Sequence, residues 1–284
     1  MSQVTELRQH LKALLRQKRT LIAPGAYDAY SAMLVEKAGF ELVYIGSYAA
    51  SAGLGLPDVG LLTMFELVGR ARAIADAVNI PVIADAENGF YNAASVWRSV
   101  HAFENSGVCG IHIDDHESGK HSDLARRVLP LEKMVEKIKA ALEAREDPNF
   151  LIIARTESYW ATGDLEDSVR RMNALADAGA DLVFAMGLTT DQLGAIRSRI
   201  SSKVVIVNTP PSTVDEESKA GADIVLYHTL CLFAASHGVN KVLKDFKETL
   251  NAGKATTLLD TQAAVEDILG YRAFNDRAKA HGLA

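Results

Sequence analysis

The sequence is short of cysteine, of positive charge and of long apolar runs, and each shortage excludes a class of protein. Two cysteines among 284 residues cannot form a disulfide framework, which favours a reducing, cytoplasmic location. The net charge of -6 offers no basic surface for a phosphate backbone, so we expect no nucleic-acid partner. No uncharged run reaches the roughly 18 residues that span a bilayer, so we expect no membrane segment.

Common cofactor motifs are missing as well. The sequence contains neither a GxGxxG pattern nor a Walker motif, and no lysine ends a strand core, as a Schiff-base aldolase would require. We therefore expect neither a nucleotide cofactor nor an imine mechanism.

What the sequence does contain is a short apolar run, repeated eight times and followed each time by a helical pattern. The runs are rich in Val and Ile without polar alternation, which is typical of strands buried on both faces. Eight strand–helix units predict a single (β/α)8 TIM-type barrel at residues 1–250, with a helical extension at 251–284 that packs on the barrel or reaches a partner subunit. The runs begin at Leu21, Glu41, Ile80, Val108, Phe150, Asp181, Lys203 and Asp223.

Acidic residues follow two neighbouring runs, at the end of the barrel where active sites form. Asp85 and Glu87 follow the third run, and Asp114 follows the fourth. Three carboxylates this close repel one another unless a cation lies among them. A set of oxygen ligands favours Mg²⁺ or Mn²⁺ over zinc. Alternatively, some of these acids cap helices or pair with Lys120 or Arg155.

Groups that suit an anionic substrate follow other runs. Arg155 follows the fifth run, where its guanidinium would hold a substrate carboxylate, unless it forms a salt bridge with Glu157 or a metal-site acid. Small residues within Tyr44–Tyr48 expose backbone N–H groups that suit an anion, and Asp58 lies in the loop that follows.

The polar segment at residues 116–124 follows the acids of the fourth run and is poorly suited to a strand or a long helix. It predicts a mobile lid that carries Lys120 and His121 to the substrate, with a plain solvated loop as the alternative. Asn208 and His228, at the ends of the seventh and eighth runs, are further substrate-binding candidates. His112 lies inside a run and is expected to be a core residue.

These motifs, in this order, resemble the isocitrate lyase and phosphoenolpyruvate mutase superfamily. The resemblance extends over about residues 20–240 and rests on the stretches around Tyr44, Asp58, Asp85, Asp114 and Arg155. It implies the same barrel, a Mg²⁺ ion that holds a 2-oxo acid or its enolate, and a homotetramer, a dimer of dimers, whose terminal helices exchange between paired subunits.

The resemblance also implies a role for each candidate. The arginine would bind the substrate carboxylate, the loop after the second run would hold substrate oxygens, and the aspartate of the following loop would lie in the outer shell of the metal. The implied metal ligands are Asp85, Glu87 and Asp114, and the implied substrate and outer-shell residues are Gly46, Ser47, Tyr48, Asp58 and Arg155.

The sequence also departs from the pattern of the superfamily. The second metal acid is usually Asp and is Glu87 here, whereas the fourth-strand acid is usually Glu and is Asp114. Residues 119–123 read Gly-Lys-His-Ser-Asp and lack the lid cysteine of isocitrate and methylisocitrate lyases, so those two activities are not expected. The asparagine of phosphoenolpyruvate mutase is also missing from this loop. Together with the sequence FAMG after the sixth strand, these features favour the oxaloacetate decarboxylase branch.

Three functional hypotheses follow. The leading one is a Mg²⁺-dependent lyase that breaks a C–C bond of a 2-oxo or 2-hydroxy dicarboxylic acid, by decarboxylation or retro-aldol cleavage, with Tyr44 or His121 transferring a proton. The second is an enzyme of C–P bonds, a phosphonopyruvate hydrolase or a carboxyphosphonoenolpyruvate mutase. The third is a barrel that binds a dicarboxylate without turnover.

Overall fold

A computed structural model describes residues 2–17, 19–118, 120–251 and 259–283 of the chain. Of the predicted features, Gly119 of the lid and residues 252–258 and 284 of the extension lie outside the described residues.

Eight parallel strands form the sheet that the eight runs predict. They follow one another around a ring in the order β1-β2-β3-β4-β7-β8-β9-β10, and β5 and β6 form a separate hairpin. The ring closes between its first two strands, where Gly25 forms a parallel bridge with Tyr44 and the amide of Ala26 donates to the carbonyl of Tyr44 at 2.9 Å. The (β/α)8 prediction is therefore confirmed. The strands are β1 (Leu21–Pro24), β2 (Val43–Ile45), β3 (Val82–Asp85), β4 (Gly110–Asp114), β5 (His116–Ser118), β6 (Arg127–Val128), β7 (Leu151–Thr156), β8 (Leu182–Ala185), β9 (Val204–Val207) and β10 (Ile224–Tyr227).

Helices connect the strands, and several begin at a threonine that satisfies their first amides. Thr63, Thr189 and Thr213 each accept a backbone hydrogen bond from the third helical residue, whose side chain bonds back to the threonine amide. The helices are α1 (Gln3–Arg16), α2 (Ala29–Lys37), α3 (Ser47–Ala52), α4 (Met64–Ala75), α5 (Trp97–Glu104), α6 (Leu131–Ala144), α7 (Ser158–Thr162), α8 (Leu165–Asp177), α9 (Thr190–Ile196), α10 (Val214–Lys219), α11 (Leu230–Thr249), α12 (Gln262–Ile268) and α13 (Tyr271–Ala280).

Helix α1 closes the N-terminal end of the barrel. Its buried Leu11, Leu14 and Leu15 join one cluster with residues at the starts of the strands, such as Leu21 and Leu151. Because apolar packing closes this end, we expect the polar and charged side chains of a functional site at the opposite end, where the strands finish.

The lid segment differs from its prediction, because it contains strand structure. His116–Ser118 pairs antiparallel with Arg127–Val128, and the amide of Leu129 then donates to the carbonyl of Asp115 at 2.7 Å. A short hairpin anchored at its base needs backbone hydrogen bonds more than apolar side chains, which is why the polar sequence gave no strand signal.

The chain divides into two compact units, residues 1–230 and 231–284. This division falls near the start of α11, whereas the predicted boundary at residue 250 falls near its end. Within the second unit, none of the described helical residues is buried. Among the described residues, no helix has the length and hydropathy to cross a membrane.

Gly25 marks a close approach that a larger residue would block. A Cβ at this position would lie 2.1 Å from the carbonyl oxygen of His228. We expect Gly25→Ala to lower the free energy of unfolding by about 1–3 kcal/mol, because backbone at the seam must shift.

Urea unfolding followed by circular dichroism measures this change. The control is Gly69→Ala in the exposed face of α4, where a Cβ meets nothing within 4 Å and the helix should gain up to about 1 kcal/mol. Equal stability of the Gly25→Ala variant and the unmodified protein would contradict the prediction.

Candidate functional site

A small cleft opens at the carboxyl ends of the strands. Most of the residues that the sequence predicted for the site line it, and they come from five strands of the barrel or the segments that follow them. The lining residues are Tyr44, Gly46, Ser47, Tyr48, Asp58, Asp85, Lys120, His121, Arg155, Trp160, Met186, Val207 and His228.

Two buried carboxylates and an imidazole lie together at this end of the barrel, and of the three only Asp85 lines the cleft. One ligand atom each from Asp85, His112 and Asp114 lies within 4.8 Å of the others. Nδ1 of His112 lies 2.7 Å from Oδ1 of Asp114 and 3.8 Å from Oδ1 of Asp85. Burial alone would raise the pKa of Asp114, but Arg155 and His112 hold it well below its ordinary value. Burial would raise the pKa of Asp85 as well, but His112 and Lys120 hold it below its ordinary value, so both aspartates remain charged near neutral pH.

Glu87 reaches this cluster through an unusual backbone conformation. Its φ is +53°, in the left-handed region that non-glycine residues rarely adopt. The conformation lets its amide donate to Oδ1 of Asp85 at 2.7 Å and lets its carbonyl accept from the amide of Asp114 at 2.8 Å. The turn therefore ties the end of β3 to the end of β4. Such backbone strain is often found at functional sites.

Lys120 extends from the hairpin segment into the acids. Its ammonium contacts the carboxylate of Glu87 and donates to Oγ of Ser47 at 2.9 Å, and it lies 3.5 Å from Oδ1 of Asp58. Burial would lower the pKa of Lys120, but Asp85 and the neighbouring carboxylates raise it above its ordinary value. Burial raises the pKa of Glu87 to about 6 against the opposing effect of Lys120.

Arg155 lies on the other side of the carboxylates. Its Nε donates to Oε1 of Glu157 at 2.7 Å and lies 3.4 Å from Oδ2 of Asp114, while its guanidinium stacks 4.7 Å from the centre of the Phe184 ring. Both alternatives raised by the sequence are therefore present, because Arg155 pairs with Glu157 and with an acid of the cluster. The pKa of Arg155 lies well above its ordinary value, mainly because Asp114 and Glu157 outweigh the effect of burial.

Tyr44 and Ser47 frame the opposite wall. The hydroxyl of Tyr44 lies 2.9 Å from Nε2 of His112, and burial together with Asp85 raises the pKa of this phenol well above its ordinary value. The amide of Ser47 donates to Oδ2 of Asp85 at 3.1 Å, and its Oγ lies 3.2 Å from Oδ2 of Asp58. A protonated phenol and an oriented amide are thus both present beside the acids.

The rim of the cleft is aromatic. The ring of Tyr48 meets His121 edge-on at 5.3 Å and His228 at 6.4 Å, and His121 also lies 5.2 Å from Trp160. Burial lowers the pKa of His121 and lowers that of His228 to about 4, where the charge of Arg155 also contributes. Both imidazoles are therefore expected to be neutral near pH 7.

Asn208 does not line the cleft, and its side chain is bonded to helix α10 instead. Its Nδ2 donates to Oε1 of Glu217 at 2.6 Å, and Glu217 also accepts from the hydroxyl of Tyr227 at 2.9 Å. The side-chain amide of Asn208, which the sequence assigned to substrate binding, is thus hydrogen-bonded to the buried carboxylate of Glu217.

Sequence reasoning missed several residues of the site. His112 was expected to be a core residue, and it is buried and hydrogen-bonded. What was missed is its place in the group with Asp85 and Asp114, and the available signal was its position two residues before Asp114 on the same side of β4. Trp160, Met186 and Val207 line the wall and carry no motif that distinguishes them from core residues.

The donor set fits a divalent cation that prefers oxygen ligands. Within residues 2–118 and 120–251, Oδ2 of Asp114 and Oε1 of Glu87 are buried and accept no hydrogen bond. Buried carboxylate oxygens that accept no hydrogen bond are costly, and a metal ion would compensate them. Asp114 and Glu87 supply these oxygens, and Asp85 adds a buried carboxylate with an oxygen within 4.8 Å of one of Asp114. His112 is already hydrogen-bonded to Asp114 and Tyr44.

Comparison with known proteins identifies the family. The family model described as phosphoenolpyruvate phosphomutase matches residues 11–247. The chain belongs to the isocitrate lyase and phosphoenolpyruvate mutase superfamily. It is 36% identical over 276 residues to 2,3-dimethylmalate lyase of Eubacterium barkeri, covering 94% of this chain and 92% of that relative.

Solved structures of the superfamily share the fold. A phosphoenolpyruvate phosphomutase from Streptomyces platensis subsp. rosaceus matches with a TM-score of 0.91 and 30% identity, over 96% of this chain and 98% of that chain. A phosphonopyruvate hydrolase in complex with oxalate and Mg²⁺ matches with a TM-score of 0.89 and 28% identity, over 98% and 99%. The superfamily therefore includes enzymes of both C–C and C–P bonds.

The neutral imidazole of His228 is open to direct measurement. We expect an NMR titration of its ring protons to give a pKa of about 4, because burial and the nearby guanidinium of Arg155 both disfavour the imidazolium. Arg155→Gln should raise this pKa, whereas Arg170→Gln, at an exposed position of α8, should leave it unchanged. A pKa at the ordinary value of about 6.5 in the unmodified protein would contradict the assignment.

Proposed function

We propose that this protein is a Mg²⁺- or Mn²⁺-dependent lyase that cleaves a C–C bond of a 2-oxo or 2-hydroxy dicarboxylic acid. The cleavage would be a decarboxylation of the oxaloacetate type, which forms CO2 and the enolate of a 2-oxo acid, or a retro-aldol reaction. In the retro-aldol reaction the hydroxyl-bearing carbon becomes the carbonyl of a 2-oxo acid as its hydroxyl proton is removed, and the enolate forms on the other carboxylate fragment. The observation that carries the proposal is the buried pair Asp85 and Asp114 beside Arg155. Asp85 and Arg155 line the cleft, and Nε of Arg155 lies 3.4 Å from Oδ2 of Asp114.

The residues of the site divide into three roles. Asp85, Glu87 and Asp114 would hold the cation, with Asp58 in the outer shell. When bound, the cation supplies a Lewis acid that stabilises the negative charge of the enolate oxygen. Arg155 would pair with a substrate carboxylate.

The loop after β2 would orient the substrate oxygens. Gly46, Ser47 and Tyr48 lie at the N-terminus of α3, and the amide of Ser47 already points at a carboxylate oxygen of Asp85. Lys120 adds a positive charge from the hairpin side, and His228 a neutral imidazole. The Asn208 amide would reach substrate only after leaving Glu217.

Two groups suit the proton transfer that completes the reaction. Tyr44 has a raised pKa and so keeps its proton, which makes it a donor to a carbanion-like carbon. His121 has a lowered pKa and is neutral, which suits a base that accepts the proton of a 2-hydroxy group in retro-aldol cleavage.

The comparisons support this reading. A relative that covers nearly the whole chain is named as a lyase of 2,3-dimethylmalate, a substituted 2-hydroxy dicarboxylic acid. A structural neighbour binds oxalate and Mg²⁺, and oxalate has the planar, doubly charged shape of the pyruvate enolate.

The second candidate is C–P chemistry, as a phosphonopyruvate hydrolase or a carboxyphosphonoenolpyruvate mutase. It is favoured by the close match to a phosphoenolpyruvate phosphomutase structure. The same cleft would bind phosphonopyruvate in place of a dicarboxylate. Phosphorus NMR on phosphonopyruvate with Mg²⁺ separates the two, since only a C–P enzyme changes the phosphorus resonance.

We expect Asp85→Ala to lower metal-dependent turnover by about 1,000-fold or more, because it removes a charged ligand from the floor of the cleft. The assay follows oxaloacetate, malate-type and citrate-type acids with Mg²⁺ by proton NMR, which identifies pyruvate, glyoxylate or other products. Mg²⁺ should also raise the melting temperature of the unmodified protein but not that of the variant.

The control for this experiment is Asp191→Ala, at an exposed position of α9, which should retain both turnover and stabilisation by Mg²⁺. Unchanged activity of Asp85→Ala would refute the metal assignment. Stabilisation by oxalate and Mg²⁺ without turnover of any acid or of phosphonopyruvate would instead support a non-catalytic binding protein.

We also propose a cytoplasmic homotetramer, a dimer of dimers, in which the helices of residues 251–284 exchange between paired subunits. The support is that α11 and α13 have apolar side chains that are not buried within the chain, including Phe246 and Phe274, which are 43% and 63% exposed.

Sedimentation velocity tests the assembly. We expect a mass of about four times 30.7 kDa for the unmodified protein. Phe246→Ser should shift it to smaller species because it removes apolar contact area, whereas Lys247→Ser on the same helix should not. A monomer at all concentrations would contradict the proposal.

A further inference from the structure

A chain of buried charges lies behind Arg155, and the proposed chemistry does not use it. Asp115 is fully buried at the end of β4, and Arg171 on α8 is 7% exposed. NH1 of Arg171 lies 3.2 Å from Oδ2 of Asp115. A buried ion pair is weak evidence for stability, because removing charges from water costs about as much as the attraction returns. Its better attested use is to fix one arrangement of the chain.

Asp115 fixes the end of the strand that carries Arg155. Its Oδ1 accepts from the amide of Glu157 at 2.8 Å, and its Oδ2 accepts from the hydroxyl of Thr156 at 2.6 Å. The side chain of Glu157 in turn accepts from Nε of Arg155 at 2.7 Å. Two hydrogen bonds therefore connect Asp115 to the guanidinium that faces the cleft.

Asp115 and Arg171 also hold the base of the hairpin. The amide of Leu129, directly after β6, donates to the carbonyl of Asp115 at 2.7 Å, and NH1 of Arg171 donates to the carbonyl of Leu129 at 2.9 Å. The outgoing leg, β5, starts at the residue after Asp115. Both legs of the hairpin that places Lys120 against the acids are thus fixed at one point.

We propose that Asp115 and Arg171 form a positioning pair that couples the hairpin to the guanidinium of Arg155, and so sets the affinity of the cleft for a carboxylate. The inference rests on the proposed function for the identity of the ligand. Neither residue lines the cleft, so both would act through Glu157 and Leu129. A carboxylate then meets Arg155 and Lys120 in a fixed relative position, which limits the conformational freedom lost on binding.

The test compares Arg171→Met with the matched control Asp167→Asn. Asp167 accepts from Nε of Arg171 at 2.8 Å on the side away from Asp115, so the control removes a charged partner of the same arginine without affecting the Asp115 contacts. Calorimetry measures the dissociation constant of oxalate in the presence of Mg²⁺. Kinetics with the substrate from the acid panel separates KM from kcat.

We expect Arg171→Met to weaken oxalate binding and to raise KM by about 10-fold with a much smaller change in kcat, because ligand positioning and not the reacting groups is altered. Asp167→Asn should leave both values unchanged even where its melting temperature falls. Thr156→Val provides a milder variant that folds if Arg171→Met does not. It removes one hydrogen bond to Asp115 and should weaken oxalate binding by about threefold.

A second readout is independent of the proposed function. Arg126 and Arg127 are exposed in the hairpin, so limited trypsin digestion reports how firmly its base is fixed. Cleavage there should be about 10-fold faster in Arg171→Met and unchanged in Asp167→Asn, because local opening exposes the scissile bonds. If the unmodified protein binds no oxalate, the proposed function fails while this readout still tests the anchoring. Unchanged cleavage, or unchanged oxalate affinity in an active protein, would overturn the positioning role.

Discussion

The structure depends on the balance of charge at the mouth of the barrel, where several carboxylates are buried together. Asp85 and Asp114 are 3% and 0% exposed, and buried carboxylates without compensation would take up protons. Arg155 supplies positive charge beside Asp114, and Lys120 supplies it beside Glu87 and Asp58. The balance is incomplete at Glu87, whose pKa is raised to about 6, and a divalent cation would complete it.

The backbone accounts for how these charges are held together. Parallel strands all end on one side of the barrel, so the fold itself brings the carboxyl ends of β3, β4 and β7 together there. The left-handed turn at Glu87 connects the first two of these strands, and Asp115 connects the second to the third and to the hairpin. Apolar packing of α1 at the other end supplies stability, which leaves the mouth free to hold strained and charged groups.

The sequence was sufficient to predict the barrel and the place of its acids. Asp85 and Asp114 follow buried runs, and topology alone brings such positions together. The sequence was insufficient for His112, because a histidine inside an apolar run gives the same pattern whether its ring packs in the core or contacts an acidic side chain. Asn208 could not be placed either, since its partner Glu217 lies on a helix that no motif marked. The hairpin was missed because its pairing depends on the backbone of Asp115 and Leu129, which composition does not encode.

The most direct test of this account is a titration with Mn²⁺ followed by electron paramagnetic resonance of the free ion. We expect one saturable site per chain, with the free-ion signal restored by excess Mg²⁺, and loss of that site in Asp114→Asn. An undiminished site in that variant, or no saturable binding in the unmodified protein at millimolar Mn²⁺, would contradict the claim that the buried carboxylates form a metal centre.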